Sequence, residues 1–260
     1  MSSTAIFEPS DGVKSYLAQE PENFSATPTF PPPGQLPFSA KLYNGSRLVI
    51  TTDKKERITL NKIIRKSPTI GKKAPHGSLI LFDGSNTSSF QGGRLDPKTG
   101  NLHTDGRDIL TKRKFTNYHI HLEFMLPYRP SIRGQHRGNS GFYQVDLYEM
   151  QILDSFGLHG HHFDCGGIYS QVPPKINACL PPLVWQTYDI DFTSAVVVQG
   201  KKTKNASITA ILNGILIHQN YEFTGKTGGS RNEPEGTPDP LKLQGHANPL
   251  QFRNIWIIEK

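Results

Sequence analysis

Between Arg137 and Gly157 the chain reads RGNSGFYQVDLYEMQILDSFG, a stretch that gathers a guanidinium, amides, hydroxyls and carboxylates. Tyr148, Met150 and Ile152 alternate with Glu149, Gln151 and Leu153, the period of a strand with one side on a core and the other toward water. Glu149 and Gln151 therefore share the polar side. Arg137, Asn139 and Ser140 lead in, and Asp154 and Ser155 lead out. This is the chemistry of a sugar site, with a mid-strand carboxylate that could serve as general base or acid in a site open to a pyranose. The structural reading stays beside it: Glu149 could pair with Arg137, and Asp154 could bond its own turn.

Ordinary retaining glycoside cleavage needs two carboxylates ~5–5.5 Å apart. Residues two apart on a strand stand ~6.5 Å apart, and at that spacing Glu149 meets Gln151 rather than an acid. A second carboxylate would have to come from Glu123, Asp154 or Asp189. His121, Asp154 and His246 are candidate proton carriers or metal ligands beside Glu149. Glu123, Arg137, Asn139, Gln151 and Trp185 are candidate sugar contacts. Parity puts His121 and Glu123 together opposite the apolar set Tyr118, Ile120, Leu122, Phe124 and Leu126, without saying which side that is. Trp185 could stack on a sugar or fill space, and Trp256 reads as core. His159, His161, His162 and Asp164 next to Cys165 have a metal-like composition but lack a second ligand pair at zinc spacing. No calcium-loop ligand series is present either, so no metal is assigned, and a divalent ion, calcium or zinc, stays open.

These candidates have to be positioned by strands. Gly 24 and Pro 20 in 260 residues imply many turns, and no convincing amphipathic helix follows residue 78. Trp185 to Phe192 alternates like Tyr118 to Leu126, and Asn213-Gly214 between two β-branched runs is a tight hairpin signal. The expected architecture is all-β, two antiparallel sheets packed as a jelly-roll sandwich. Residues 1–37 read as an extended or disordered arm, 38–77 as a small β-hairpin extension with a turn at Asn44-Gly45, and 78–260 as the main domain. The formal charge is +7, and Lys54 to Lys73, with eight basic residues against Glu56, supplies the whole excess. That tract interleaves Ile58, Leu60, Ile63 and Ile64 but no stacking aromatics, which argues for solvated strand sides rather than a nucleic-acid groove. No apolar run approaches the ~20 residues of a spanning helix, so no membrane insertion is expected. Cys165 and Cys179 could be a disulfide or two buried thiols.

Eight blocks in order resemble the 3-keto-disaccharide hydrolase domain family, a concanavalin-like jelly roll frequent in Bacteroidetes and Planctomycetes. They are LFDG at Leu81 to Gly84, FTNYHIHLEFMLP at Phe115 to Pro127, RGNSGFY at Arg137 to Tyr143, YEMQILDSFG at Tyr148 to Gly157, CGGIYS at Cys165 to Ser170, PPLVWQTYDIDF at Pro181 to Phe192, LNGILIHQN at Leu212 to Asn220 and NPLQFRNIWI at Asn248 to Ile257. Even RKSPTIGKKAPHGS, Arg65 to Ser78, resembles the lead-in of planctomycete members. The resemblance implies a carbohydrate substrate whose C3 hydroxyl has been oxidised to a ketone, cleaved by a hydrolase or lyase; Glu149, the candidate read from the residues, is the expected base or acid. The alternative from another class is a lectin-like binding module with the same fold and no turnover. The sequence departs from the family after Leu243-Gln244, where Gly245, His246 and Ala247 stand in place of an acid followed by histidine and glycine. Relatives are often extracytoplasmic, while MSSTAIFEPSDG has neither the basic start nor the apolar middle of an export signal.

Overall fold

The computed structural model describes residues 39–52, 54–231 and 233–260; the arm expected over 1–37 lies outside them. The chain divides into two compact units between Arg65 and Lys66. In the smaller one, Ser39–Tyr43, Arg47–Thr51 and Arg57–Asn61 form a three-stranded antiparallel sheet in chain order. The Asn44-Gly45 turn, with both residues at positive φ, splits the first run into two strands.

Among the described residues, the larger unit is all-β in its regular elements, apart from one 3-10 turn at Gly134–His136. Its eight-stranded sheet runs Ile215–Glu222, Ser207–Leu212, Trp185–Thr193, Tyr118–Met125, Gln251–Glu259, Leu102–His103 and Arg94–Leu95, with Leu79–Phe82 also paired to Gln251–Glu259. The five-stranded sheet runs Tyr148–Ile152, Ser140–Gln144, Lys242–Leu243, Ile109–Thr111 and Phe90–Gln91. Asn213 and Gly214, at φ of 53° and 79°, close the two-residue hairpin between Leu212 and Ile215, as the left-handed requirement of such a turn demands.

Alternation decides what each sheet gives to the core. From the larger sheet come Tyr118, Ile120, Leu122, Phe124, Tyr188, Ile190 and Phe192; from the smaller come Phe142, Tyr148, Met150, Ile152, Ile109 and Leu243, all in one buried cluster. The two sets interlock across the sandwich. Phe192 lies 5.7 Å from Tyr148 across the interface, and the Tyr118 hydroxyl donates to Gln144 Oε1 at 2.9 Å. Cys165 and Cys179 are both buried in this core, the Cys179 Sγ lying 3.6 Å from Leu153 O and 3.3 Å from Leu180 O. The edge strand Tyr148–Ile152 has no strand beyond it, yet its outward groups are occupied. Glu149 N donates to Thr227 Oγ1 at 2.8 Å, Gln151 N to Gly167 O at 2.9 Å, and Glu149 O accepts from Tyr169 N at 3.2 Å.

Trp256 departs from expectation. It is 1 % exposed yet lies outside the core cluster, because a register shift between Arg253 and Trp256, with Asn254 at φ 47°, turns its ring to the outer side of the eight-stranded sheet.

Phe192→Ala removes an aromatic side chain that touches Tyr118, Tyr148 and Phe223. It is expected to cost about 3–5 kcal/mol in urea unfolding, whereas exposed Val198→Ser stays within about 0.5 kcal/mol.

Candidate functional site

On the outer side of the five-stranded sheet, register places Tyr143 opposite Glu149, Gly141 opposite Gln151, and Lys242 beside Tyr143. Directly opposed residues share a side of the sheet, so these side chains form one patch. Glu149 folds across Gly141: a Cβ there would sit 2.2 Å from Glu149 Oε1. Glycine is required for space, since its φ is not positive. The Tyr143 hydroxyl stands 2.9 Å from Glu149 Oε2 and 2.9 Å from Gly228 O, and accepts from Gln244 Nε2 at 3.3 Å. Lys242 Nζ rests 3.9 Å from the centre of the Tyr143 ring, pairs with Asp146 and donates to Gly229 O at 2.9 Å. Thr227 to Gly229 thus runs over the patch, and a Cβ at Gly229 would reach the Tyr143 hydroxyl at 2.4 Å.

The electrostatic result is a carboxyl poised near neutrality. Burial pushes Glu149 up to about 7, against the opposing pull of the Tyr143 hydrogen bond and the nearby Lys242 charge. The same burial, with the Glu149 charge next to it, drives the Tyr143 phenol well above its ordinary range. Glu149 is 3 % exposed and Tyr143 1 %. The open sugar site expected from the sequence is therefore closed here, and the cover is the 227–229 segment.

The other candidates scatter. Gln151 is adjacent and buried; it donates to Gln135 Oε1 at 3.1 Å, and Asn139 donates to Gln135 O at 2.6 Å, so both are tied to the 3-10 turn. Arg137 pairs with Asp154 at 3.2 Å rather than with Glu149, and also donates to Asp154 O. Burial raises Asp154, partly offset by Arg137. His246 is exposed in the turn that follows Gln244, at φ 43°. That turn is anchored by Gly245 N, which donates to Asp108 at 2.9 Å.

His121, Glu123 and Trp185 are not brought to Glu149. They sit on the outer side of the eight-stranded sheet, with the core between them and the Glu149 patch, because Ile120, Leu122, Phe124 and Tyr188 of the same strands fill the interior and alternation sends their neighbours the other way. There His121 Nδ1 meets Asp189 Oδ1 at 2.9 Å, its ring stacks on Trp256 at 5.2 Å, and Glu123 accepts from Arg253 Nε at 2.7 Å and Asn254 Nδ2 at 2.9 Å. The Arg253 guanidinium covers the Trp185 ring at 3.9 Å, which makes Trp185 a packing surface. The segment from Ser67 to Lys72 lies over this cluster: Gly71 N donates to Glu123 at 2.6 Å, Thr69 to Asp189 at 2.9 Å, and Lys72 pairs with Asp189 at 3.1 Å. Burial would raise Glu123 and Asp189, but these partners outweigh it and hold both carboxyls at about 2. A hollow of about 400 Å³ lined by Asp83, Thr99, Asn101, Arg253 and Asn254 adjoins this cluster, not Glu149.

In the histidine-rich loop, Asp164 accepts from His161 N at 2.8 Å and Cys165 is buried in the core, so the composition serves a loop. Among the described residues no group of three or more His, Cys, Asp or Glu is arranged to hold a metal ion. The sequence reading missed Tyr143, Lys242, Gln244 and the 227–229 cover. Tyr143 was within reach, because Gly141 and Tyr143 alternate with Phe142 and Gln144; Lys242 and Gln244 lie too far along the chain for any local signal.

Residues 77–258 match the 3-keto-alpha-glucoside-1,2-lyase-like domain family. A structure from Parabacteroides distasonis, described as a putative glycosyl hydrolase, is 27 % identical and superposes with a TM-score of 0.67, covering 77 % of this chain and 92 % of its own. A second structure from that organism under the same description is 17 % identical with a TM-score of 0.52, covering 71 % and 94 %, and speaks for the fold alone. No curated protein matches the chain.

The His121 cluster sets a pH window. Burial lowers the His121 pKa, but hydrogen bonds to Asp189 and Glu123 leave it raised, so its stabilisation is full below the unfolded value of ~6.5 and is lost as pH rises through the folded one. Glu123 and Asp189 stabilise above their unfolded values and lose that contribution as pH falls toward about 2. Urea unfolding across pH should show both limbs. His121→Gln is expected to cost about 3–5 kcal/mol at pH 6 and to flatten the alkaline limb; an unaltered limb would remove His121 from the account.

Proposed function

The chain belongs to the family of 3-keto-alpha-glucoside-1,2-lyase-like domains, and from that premise we propose that it cleaves a glycosidic bond in a sugar carrying a ketone at C3, with Glu149 as the base. The observation that carries the reading is the Glu149 carboxyl: buried on the outer side of the five-stranded sheet, held near pH 7, and 2.9 Å from a phenol. The geometry favours elimination over retaining hydrolysis. Glu149 has a tyrosine and a glycine against it, and the neighbouring carboxylates Asp146 and Asp108 are engaged by Lys242 and Gly245 N. Among the described residues no second carboxylate is hydrogen-bonded to Glu149 or to Tyr143, so the phenol is the proton-carrying group placed to act with it.

A C3 ketone acidifies the C2 hydrogen. Glu149 takes that proton, the C2–H electrons form the C1–C2 double bond through an enolate at C3, and the C1–oxygen bond breaks. Tyr143 gives its proton to the departing oxygen and recovers one from Glu149 across their 2.9 Å contact, so the pair returns to its starting state. Water adding across the double bond would then complete a net hydrolysis. Lys242 and Gln244, on the Tyr143 ring and hydroxyl, ease the transient negative charge on the phenol. For a sugar to arrive, the cover at Gly228 and Gly229 has to lift; these are tied by single hydrogen bonds to Tyr143 and Lys242, while Thr227 is the anchored end, bonded to Glu149 N and through its own N and hydroxyl to Leu147 O. The near-complete burial of Glu149 is also what favours the rival reading, a sugar-binding module without turnover.

Glu149→Gln separates the two. Product release from a 3-keto-glucoside should fall by about 10²–10⁴-fold while sugar binding persists, and turnover by the unaltered protein should rise with pH through about 7 as the base ionises. Stability should hold or improve at pH 8, because a carboxyl whose folded pKa is raised is destabilising once ionised. Unchanged turnover in the variant excludes Glu149; binding by the unaltered protein with no product from any keto-glycoside leaves the module.

Tyr143→Phe is expected to slow release at least tenfold for poor leaving groups and much less for phenolic ones that need no protonation, as read by kcat over a leaving-group series. An equal effect across the series would confine Tyr143 to positioning.

A further inference from the structure

The sheet at residues 39–65 has two unlike sides. Its register pairs Leu42 with Leu48 and Leu48 with Leu60, and Ala40 with Ile50 and Ile50 with Ile58. All six therefore share one side. The other side carries Lys41, Tyr43, Arg47, Arg57 and Thr59, with Lys41 and Arg47 lying 5.3 Å and 5.0 Å from the Tyr43 ring. The aliphatic side is exposed at its margins and closed at its centre: Leu42 is 60 % and Ile58 47 % accessible, Leu48 and Leu60 are half-buried and Ile50 is 7 % accessible, while just beyond the last strand Ile63 and Ile64 are 82 % and 72 % accessible. Around these residues stand Lys54 and Lys55 in the turn before the third strand, and Lys62 and Arg65 on either side of the isoleucines.

The charge selects among occupants. Over 39–65 there are seven Lys and Arg residues against Asp53 and Glu56. A second copy laid on this sheet would set like charge on like charge. Nucleic acid would need open aromatic faces, and Tyr43 is already covered by two cations. Aliphatic side chains ringed by lysines match the boundary between headgroups and acyl chains of an anionic bilayer, where branched apolar groups enter shallowly and ammonium groups stay with the phosphates. We infer that the 39–65 sheet is a peripheral docking surface for an anionic lipid bilayer. This is attachment, not spanning: no described helix is long and apolar enough to cross a membrane. It goes beyond the sequence reading of the tract as solvated strand sides, because Ile58 and Leu60 fall on one side together with four further aliphatic groups. It is independent of the glycoside reading.

The test is co-sedimentation of the full chain with vesicles of phosphatidylcholine alone and with a quarter phosphatidylglycerol, at low and moderate salt. Partitioning to the anionic vesicles only, reduced about 30-fold by K54Q/K55Q and at least tenfold by L42S/I58S, supports the proposal. The lysine pair lies in an exposed turn, so that variant keeps the test open should the aliphatic one disturb the sheet; melting curves report on both. Absence of sedimentation, equal sedimentation with neutral vesicles, or anionic binding untouched by L42S/I58S in a folded protein overturns it. A concentration-dependent dimer abolished by L42S/I58S would give the surface to a second copy and also overturn it.

Discussion

Everything in the larger unit follows from the fact that a two-sheet sandwich has one interior and two exteriors. Each strand must send every second side chain inward, and the inward set of Tyr118, Tyr188, Phe192, Phe142 and Met150 fills the space between the sheets. The residues in between are forced outward whatever their chemistry. Polar groups forced outward and then covered must find partners or change protonation, and the two exteriors solve that problem in opposite ways.

Glu123 and Glu149 make the contrast direct. Both are glutamates in mid-strand, both point away from the core, and both are almost fully buried. Glu123 is met by Arg253, Asn254, Gly71 N and His121 and is held at about 2, a fixed anion in a dense network. Glu149 is met by one phenol, while its nearest cation, Lys242, is occupied by Asp146 and Gly229; it rises to about 7. The first arrangement spends its carboxylate on holding the 67–72 segment to the sheet. The second leaves a carboxyl able to gain and lose a proton at neutral pH, which is the property a proton-transfer step uses.

Much of this was legible in the residues. The parity of Tyr118 to Met125 and of Trp185 to Phe192, and the turn at Asn213-Gly214, follow from local patterning and stand in the structure as read. What parity could not supply was the side: His121, Glu123 and Trp185 share one exterior and Glu149 the other, a distinction set by sheet order between strands far apart in the chain. Trp256 was misplaced because a bulge at Asn254 reverses the alternation, and asparagine at positive φ carries no warning in a run of aliphatic residues. The partners of Tyr143 were hidden for the same reason as the cover over Glu149. Lys242 and Gln244 arrive from about a hundred residues away and Thr227 from 78, and only pairing with Ser140–Gln144 or contact with its neighbour brings them in.

The closure of the strand Tyr148–Ile152 has a further consequence. A bare outermost strand is a template on which another polypeptide can lay itself down, the first step toward fibrils. Here Thr227, Gly167 and Tyr169 already occupy that row of amides and carbonyls. An opening above Glu149 that spread to Thr227 would uncover part of the row, so any such opening exposes the protein to self-templating in proportion to how long it lasts, and brief, local excursions are the ones compatible with remaining in solution.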